Sequence, residues 1–133
     1  MLLLLFTGAR KANVLAMRFD ELALDDPDGA AWRIPVTKAG DDQTIPLEAL
    51  EVAILARRRA EVAGDWVFPA RTGARRGHMT EPKKGWVKAL ERAGITDLHV
   101  HDLRRSLGSF MLNAGAGIEV ISKALGHRSI AVT

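Results

Sequence analysis

The 133-residue sequence predicts an α+β fold, mainly α with a small antiparallel β-sheet. Three observations lead there. Apolar residues recur at helical spacing through most of the chain. Two short alternating segments, each with a proline, lie between residues 32 and 47. Glycines at positions 8, 64, 94, 115 and 126 close the helical segments one after another. With 47% hydrophobic and 26% charged residues, the balance is that of a globular domain. The length suffices for one core and not two, so residues 1–133 are expected to form a single domain.

Residues 1–6 read as the end of a buried helix stopped by Gly8. This run lacks a basic leader, is shorter than a signal-peptide core, and passes into Thr7-Gly8-Ala9-Arg10-Lys11 with no small-residue cleavage site. No segment is long enough to span a bilayer, so no membrane partner is expected and the expected compartment is the cytoplasm. Residues 10–19 fit a short amphipathic helix with Ala12, Leu15, Ala16 and Phe19 turned inward. Asp25-Asp26-Pro27-Asp28-Gly29 is a turn cluster. Trp32, Ile34 and Val36 alternate with Arg33, Pro35 and Thr37 as a half-buried strand. The chain turns at residues 38–42 and returns as a second strand over 43–47. Pro35 and Pro46 cannot donate to a ladder, which calls for sheet edges or irregular pairing.

Residues 48–63 form the next helix, ended by Gly64. Residues 66–69 are extended, and 70–79 make a Gly- and Arg-rich loop. Thr80 is the expected N-cap of a helix with Pro82 in its first turn. That helix buries Trp86, Val87 and Leu90 and stops near Gly94. His101 opens a further helix, with Leu103, Leu107, Phe110, Met111 and Ala114 on one stripe. Residues 118–125 form a last short helix closed by Gly126. Trp32, Trp66 and Trp86 are expected in the core, and Arg57-Arg58-Arg59 on a solvated face.

The absence of cysteine excludes disulfides and thiolate zinc sites. His99 and His101 form an H-x-H pair. With no cysteine and no HExxH motif, neither a metal nor any other cofactor is expected. The net charge is only +3, but it is unevenly spread. Up to Trp66 acids outnumber Lys plus Arg by 11 to 8, and beyond it Lys plus Arg outnumber acids by 11 to 5. The basic half is the half expected to meet a polyanion.

That half holds His101 and Arg104, three residues apart and so on one helix face. Histidine moves protons near neutral pH, and arginine grips phosphate with a planar fork of donors. The pair points to phosphodiester chemistry without a metal. Three more boxes join it: Arg10 after Thr7-Gly8-Ala9, Lys38 in Thr37-Lys38-Ala39-Gly40, and His127 in Leu125-Gly126-His127-Arg128-Ser129.

In this order and spacing the four boxes resemble the catalytic domain of the tyrosine recombinases, the phage-integrase family, over nearly the whole chain. The resemblance implies site-specific recombination through a covalent 3′-phosphotyrosine intermediate. It casts Arg10 and Arg104 as clamps on the scissile phosphate and Lys38 as general acid at the leaving oxygen. His101 takes part in acid–base work, and His127 bonds a non-bridging oxygen. The partners it implies are double-stranded DNA and other recombinase protomers in a synaptic complex. Arg75, Arg76, Lys83, Lys84 and Arg105 are the expected contacts to the DNA.

Two departures matter. Asn13 stands where many family members carry an acid, three residues after the first arginine. The chain also has no tyrosine. The sequence is therefore expected to be a piece of a longer enzyme, lacking an N-terminal DNA-binding domain and the tyrosine helix, and inactive as it stands. A type IB topoisomerase carries a similar constellation. A DNA-binding module without catalysis and a metal-dependent hydrolase built on His99 and His101 are the other readings left open by the residues.

Overall fold

The computed structural model describes residues 1–35, 42–71 and 75–126. They fall into two units, Met1–Lys11 with the chain from Glu81 onward, and Ala12–Thr80. The described elements are helices and one three-stranded antiparallel sheet, the α+β class expected.

In the first unit, α1 (Leu2–Thr7) buries Leu3, Leu4 and Thr7 and leaves Leu2 and Phe6 exposed, so it is buried on one side only. The helix ends at Gly8, which adopts the left-handed conformation with φ 60°. That glycine is required twice over. The positive φ disfavours any side chain, and a Cβ there would lie 2.6 Å from Leu107 Cδ2.

The same unit also holds the last three described helices of the chain. Lys11–Leu15 is α2, which begins at the end of this unit and runs on into the next. Ala49–Glu61 is α3, in the second unit. Lys83–Ala93 is α4, Val100–Asn113 is α5 and Ile118–Ala124 is α6. Helix α5 packs against α1 and against α6. Gly108 permits the second of these contacts, since a Cβ there would come within 3.3 Å of Leu125 Cδ1. Ile121 and Leu125 are the apolar residues that α6 and its end bury.

Several details differ from expectation. Pro82, not Thr80, is the N-cap of α4. The Pro82 carbonyl already accepts the first helical bond, from Trp86 N at 2.9 Å, so the helix starts later than a Thr80 cap would place it. Along α4, Trp86 and Leu90 are half-buried and Val87 is 45% exposed. On α5 the stripe is only partly covered: Leu103, Leu107 and Met111 are half-buried, whereas Phe110 is 59% exposed and Ala114 is exposed. Periodicity marks a face but does not supply its partner.

In the second unit, the inward positions of α2 are Val14 and Leu15, with Met17 just beyond. Ala12 is exposed, and Ala16 and Phe19 are half-buried. The helix is five residues long and gives way to extended chain at Arg18 and then a short 3₁₀ turn, Phe19–Glu21, so the expected i, i+7 face never forms. The sheet consists of β1 (Leu22–Ala23), β2 (Ala31–Ile34) and β3 (Gln43–Pro46), in that spatial order. Strand β1 is too short to announce itself by alternation. Trp32 lies opposite Ile45 and Leu22, and Ile34 opposite Gln43. Strand β3 is an edge, which accommodates Pro46. The expected residues Val36 and Thr37, and most of the turn after them, lie outside the described residues.

Trp32, Met17, Leu55 and Val67 are the largest fully buried side chains. Trp32 Nε1 donates to Glu21 Oε2 at 3.0 Å, which satisfies the indole inside the core. Trp66 and Trp86 are only half-buried. Trp66 instead lies between the Arg18 guanidinium, 5.1 Å from its ring, and the His78 imidazole, 4.8 Å between centroids. Helix α3 ends at Val62, short of Gly64, with the Val62 N–H donating to the Arg58 carbonyl. Arg58 donates to the Val67 carbonyl at 2.9 Å and sits over Phe68, so Arg58 is structural and not simply solvated.

Trp32→Ala should cost the chain about 3–5 kcal/mol, the usual toll for emptying a buried aromatic site. Trp86→Ala, at a half-buried position, should cost clearly less. Urea denaturation of both variants checks the ranking, and equal losses would contradict the core described here.

Candidate active site

Helix α5 carries His101 and Arg104 one turn apart. Its start is set by Asp102, whose Oδ2 accepts the His99 backbone N–H at 2.8 Å. Asp102 also lies 3.6 Å from His99 Nδ1 and 3.7 Å from Arg105 Nη1. The second residue of the His-Asp-Leu-Arg-Arg box thus anchors the helix that displays its first and fourth. His99 is the N-cap and His101 lies in the first turn, so the H-x-H pair opens a helix and does not lie on a strand.

Arg104 is 8% exposed. Its Nη1 donates to the Gly8 carbonyl and its Nη2 to the Leu125 carbonyl. One guanidinium therefore joins three of the four sequence boxes. Gly8 is two residues before Arg10, and Leu125 is two residues before His127. Both carbonyls are available because each ends a helix, where the last carbonyls have no partner within the helix.

The approach to Arg10 is also fixed. Thr7 Oγ1 donates to the Leu3 carbonyl and accepts the Ala9 N–H at 3.3 Å. Together with the left-handed Gly8 this sets the course of the chain from α1 to the exposed Arg10. Thr7 and Gly8 stood in the sequence as parts of a motif, and their work is backbone geometry.

Electrostatically the site is positive. Burial, and after it the charge of Arg10, holds the Arg104 guanidinium below the ordinary arginine value. Arginine stays charged across the physiological range regardless. Among the described residues no carboxylate pairs with Arg10 or Arg104. With no counter-ion among the described residues, the two neighbouring cations leave this part of the surface positive.

The structure thus brings Arg10, His101 and Arg104 into one unit. Lys38 and His127 lie outside the described residues. Lys83 and Lys84, in the first turn of α4, are exposed, as are Arg75, Arg76 and Arg105. Among the described residues no group of His, Asp and Glu is arranged to hold a metal ion. Sequence reasoning missed the burial of Arg104 and the ion pair between Lys11 Nζ and Glu81 Oε2 at 2.8 Å.

Arg104→Lys should destabilise the chain by about 1–3 kcal/mol, because one ammonium cannot serve both buried carbonyls. Arg10→Lys, at an exposed position, should stay within about 0.5 kcal/mol of the parent. Denaturation midpoints at constant m-value separate the two, and equal effects would argue against the bridging role.

The phage integrase family profile matches residues 1–133. A tyrosine recombinase of Thermosipho africanus is 24% identical over 132 residues, 98% of this chain and 45% of the relative. The XerC tyrosine recombinase of Chromohalobacter salexigens is 33% identical over 125 residues, 88% of this chain and 42% of the relative. Among solved structures, the XerH site-specific recombinase in a pre-cleavage complex with its difH substrate is similar with a TM-score of 0.80 at 21% identity. It is matched over 98% of this chain and 39% of its own. The XerA recombinase follows with a TM-score of 0.76 at 22% identity, over 98% of this chain and 48% of its own. These two likenesses are of fold. The chain spans less than half the length of each of these relatives. With the family profile matched from end to end and the motif arginines gathered at one positive site, the chain belongs to the phage integrase family, the tyrosine recombinases.

Proposed function

We propose that the chain supplies the phosphate-binding centre of a site-specific DNA recombinase that cleaves and rejoins strands through a 3′-phosphotyrosine intermediate. The observation that carries this is the Arg104 guanidinium, buried and held by the Gly8 and Leu125 carbonyls, with Arg10 beside it and no described carboxylate on either. Arg10 and Arg104 stabilise the charge that builds on the non-bridging oxygens as the phosphorus becomes five-coordinate. The exposed imidazole of His101 exchanges a proton at the nucleophile or the phosphate. Lys38 as the acid at the leaving oxygen and His127 as a donor to a non-bridging oxygen rest on their motif positions.

The attacking oxygen belongs to a tyrosine that these 133 residues do not contain. Its bond to phosphorus forms as the bond to the 5′ oxygen breaks. The tyrosine proton passes to a base, and the 5′ oxygen takes a proton from the acid. The phosphodiester energy is kept in the phosphotyrosine, so the reverse attack rejoins the strand without ATP. Double-stranded DNA is the substrate, met by the exposed Arg75, Arg76, Lys83, Lys84 and Arg105. Partner protomers in a synaptic complex, residues 1–133 as part of one catalytic domain and a cytoplasmic site of action belong to the same proposal. No described helix is long and apolar enough to cross a membrane.

A longer form of the protein that includes a tyrosine, incubated with a nicked suicide substrate, should trap a covalent adduct. Arg10→Ala and Arg104→Ala should each slow its formation about 10²–10³-fold, the scale of losing a transition-state donor. The 133-residue chain alone should form none. An adduct on that chain, or full-speed cleavage by both arginine variants, would contradict the reading.

A further inference from the structure

Glu81 is the lone carboxylate between Asp65 and Glu91, in a run that carries Arg71, Arg75, Arg76, Lys83, Lys84 and Lys88. Its position in such a run calls for a reason, and the structure supplies one. The Glu81 carboxylate lies 2.8 Å from the ammonium of Lys11, seventy residues earlier in the chain. Lys11 directly follows Arg10. Glu81 precedes by two residues the exposed Lys83 and Lys84 of α4.

We propose that Glu81 is an internal counter-ion that occupies Lys11 in place of a DNA phosphate, and so limits how tightly this surface holds DNA. The inference rests on the reading of DNA as substrate and adds a residue that sets affinity. The side chains of Lys11 and Glu81 are 39% and 53% exposed, so water and salt reach the pair. A pair of that kind is worth little on its own, so it tempers the affinity for DNA without abolishing it. Arg10 is exposed and has no described carboxylate, whereas Lys11 becomes available only by leaving Glu81. Such a device suits an enzyme that must release its DNA after rejoining it. It lowers affinity without removing a charge from the clamp.

The test is binding of the chain to a random-sequence 30-base-pair duplex over a series of salt concentrations. Glu81→Gln frees Lys11 and should tighten binding about fivefold at low salt. It should also steepen the dependence of log affinity on log salt by about one unit, the signature of one more neutralised phosphate. The double variant Lys11→Gln/Glu81→Gln should return to the parent affinity and slope. A gain that survives in the double variant would mean that Glu81 merely repels DNA, which overturns the counter-ion role. Salt-dependent binding by the parent with no gain in Glu81→Gln overturns the inference alone. If neither parent nor variant shows salt-dependent binding, the inference falls together with the DNA reading beneath it.

Discussion

The site depends on one interaction, the fork of Arg104 between the Gly8 and Leu125 carbonyls. Gly8 lies 96 residues before Arg104 and Leu125 21 after it, so a single planar group closes two loops of very different length. Burying a guanidinium is unfavourable unless its donors are met. Here they are met by carbonyls left over at two helix ends, so two helix boundaries and the body of α5 share one solution. The small residues around it follow from that requirement. Gly8 has no Cβ to strike Leu107, and Gly108 lets Leu125 approach α5. Enlarging either would push a carbonyl-bearing segment away from the fork.

Much of the fold was legible because its signals are local. Gly8, Gly94 and Gly126 each take positive φ at the helix ends where the sequence placed a stop. Alternation at Trp32 and Ile34 marked a strand with one buried face, and Pro46 marked an edge. What was not legible depends on distant chain. The true inner face of α2 is Val14 and Leu15, with Met17 buried just beyond, because the helix breaks after one turn and the next residues pair with another segment. Val67 N donates to the Met17 carbonyl and Phe19 N to the Asp65 carbonyl. The exposure of Phe110 and Val87 likewise reflects which neighbours a face meets, and periodicity is silent on that.

The site was legible as residue types and illegible as roles. Spacing put His101 and Arg104 on one helix face, and the helix confirms it. Nothing in the spacing says that Arg104 is buried while Arg10 and His101 are exposed. The carbonyls that hold Arg104 in its buried place are invisible to a motif. Asp102 shows the same limit from the other side. It sits among catalytic residue types, yet its carboxylate serves a backbone N–H at the start of α5.

The choice of carbonyls over a carboxylate decides what the site can do. A carboxylate partner would satisfy Arg104 as well and would cancel its charge. Carbonyls satisfy the donors and leave the charge intact, so the field of Arg104 reaches outward. Burial, and after it repulsion from the charge of Arg10, weigh against the charged form of Arg104. An anion between the two relieves that repulsion, and one with growing negative charge relieves it more. Arg104 is already fixed by the backbone, so its charge acts on a nearby anion without reorganisation. The same hydrogen bonds that hold the helices together therefore leave a buried cation whose charge no described carboxylate cancels.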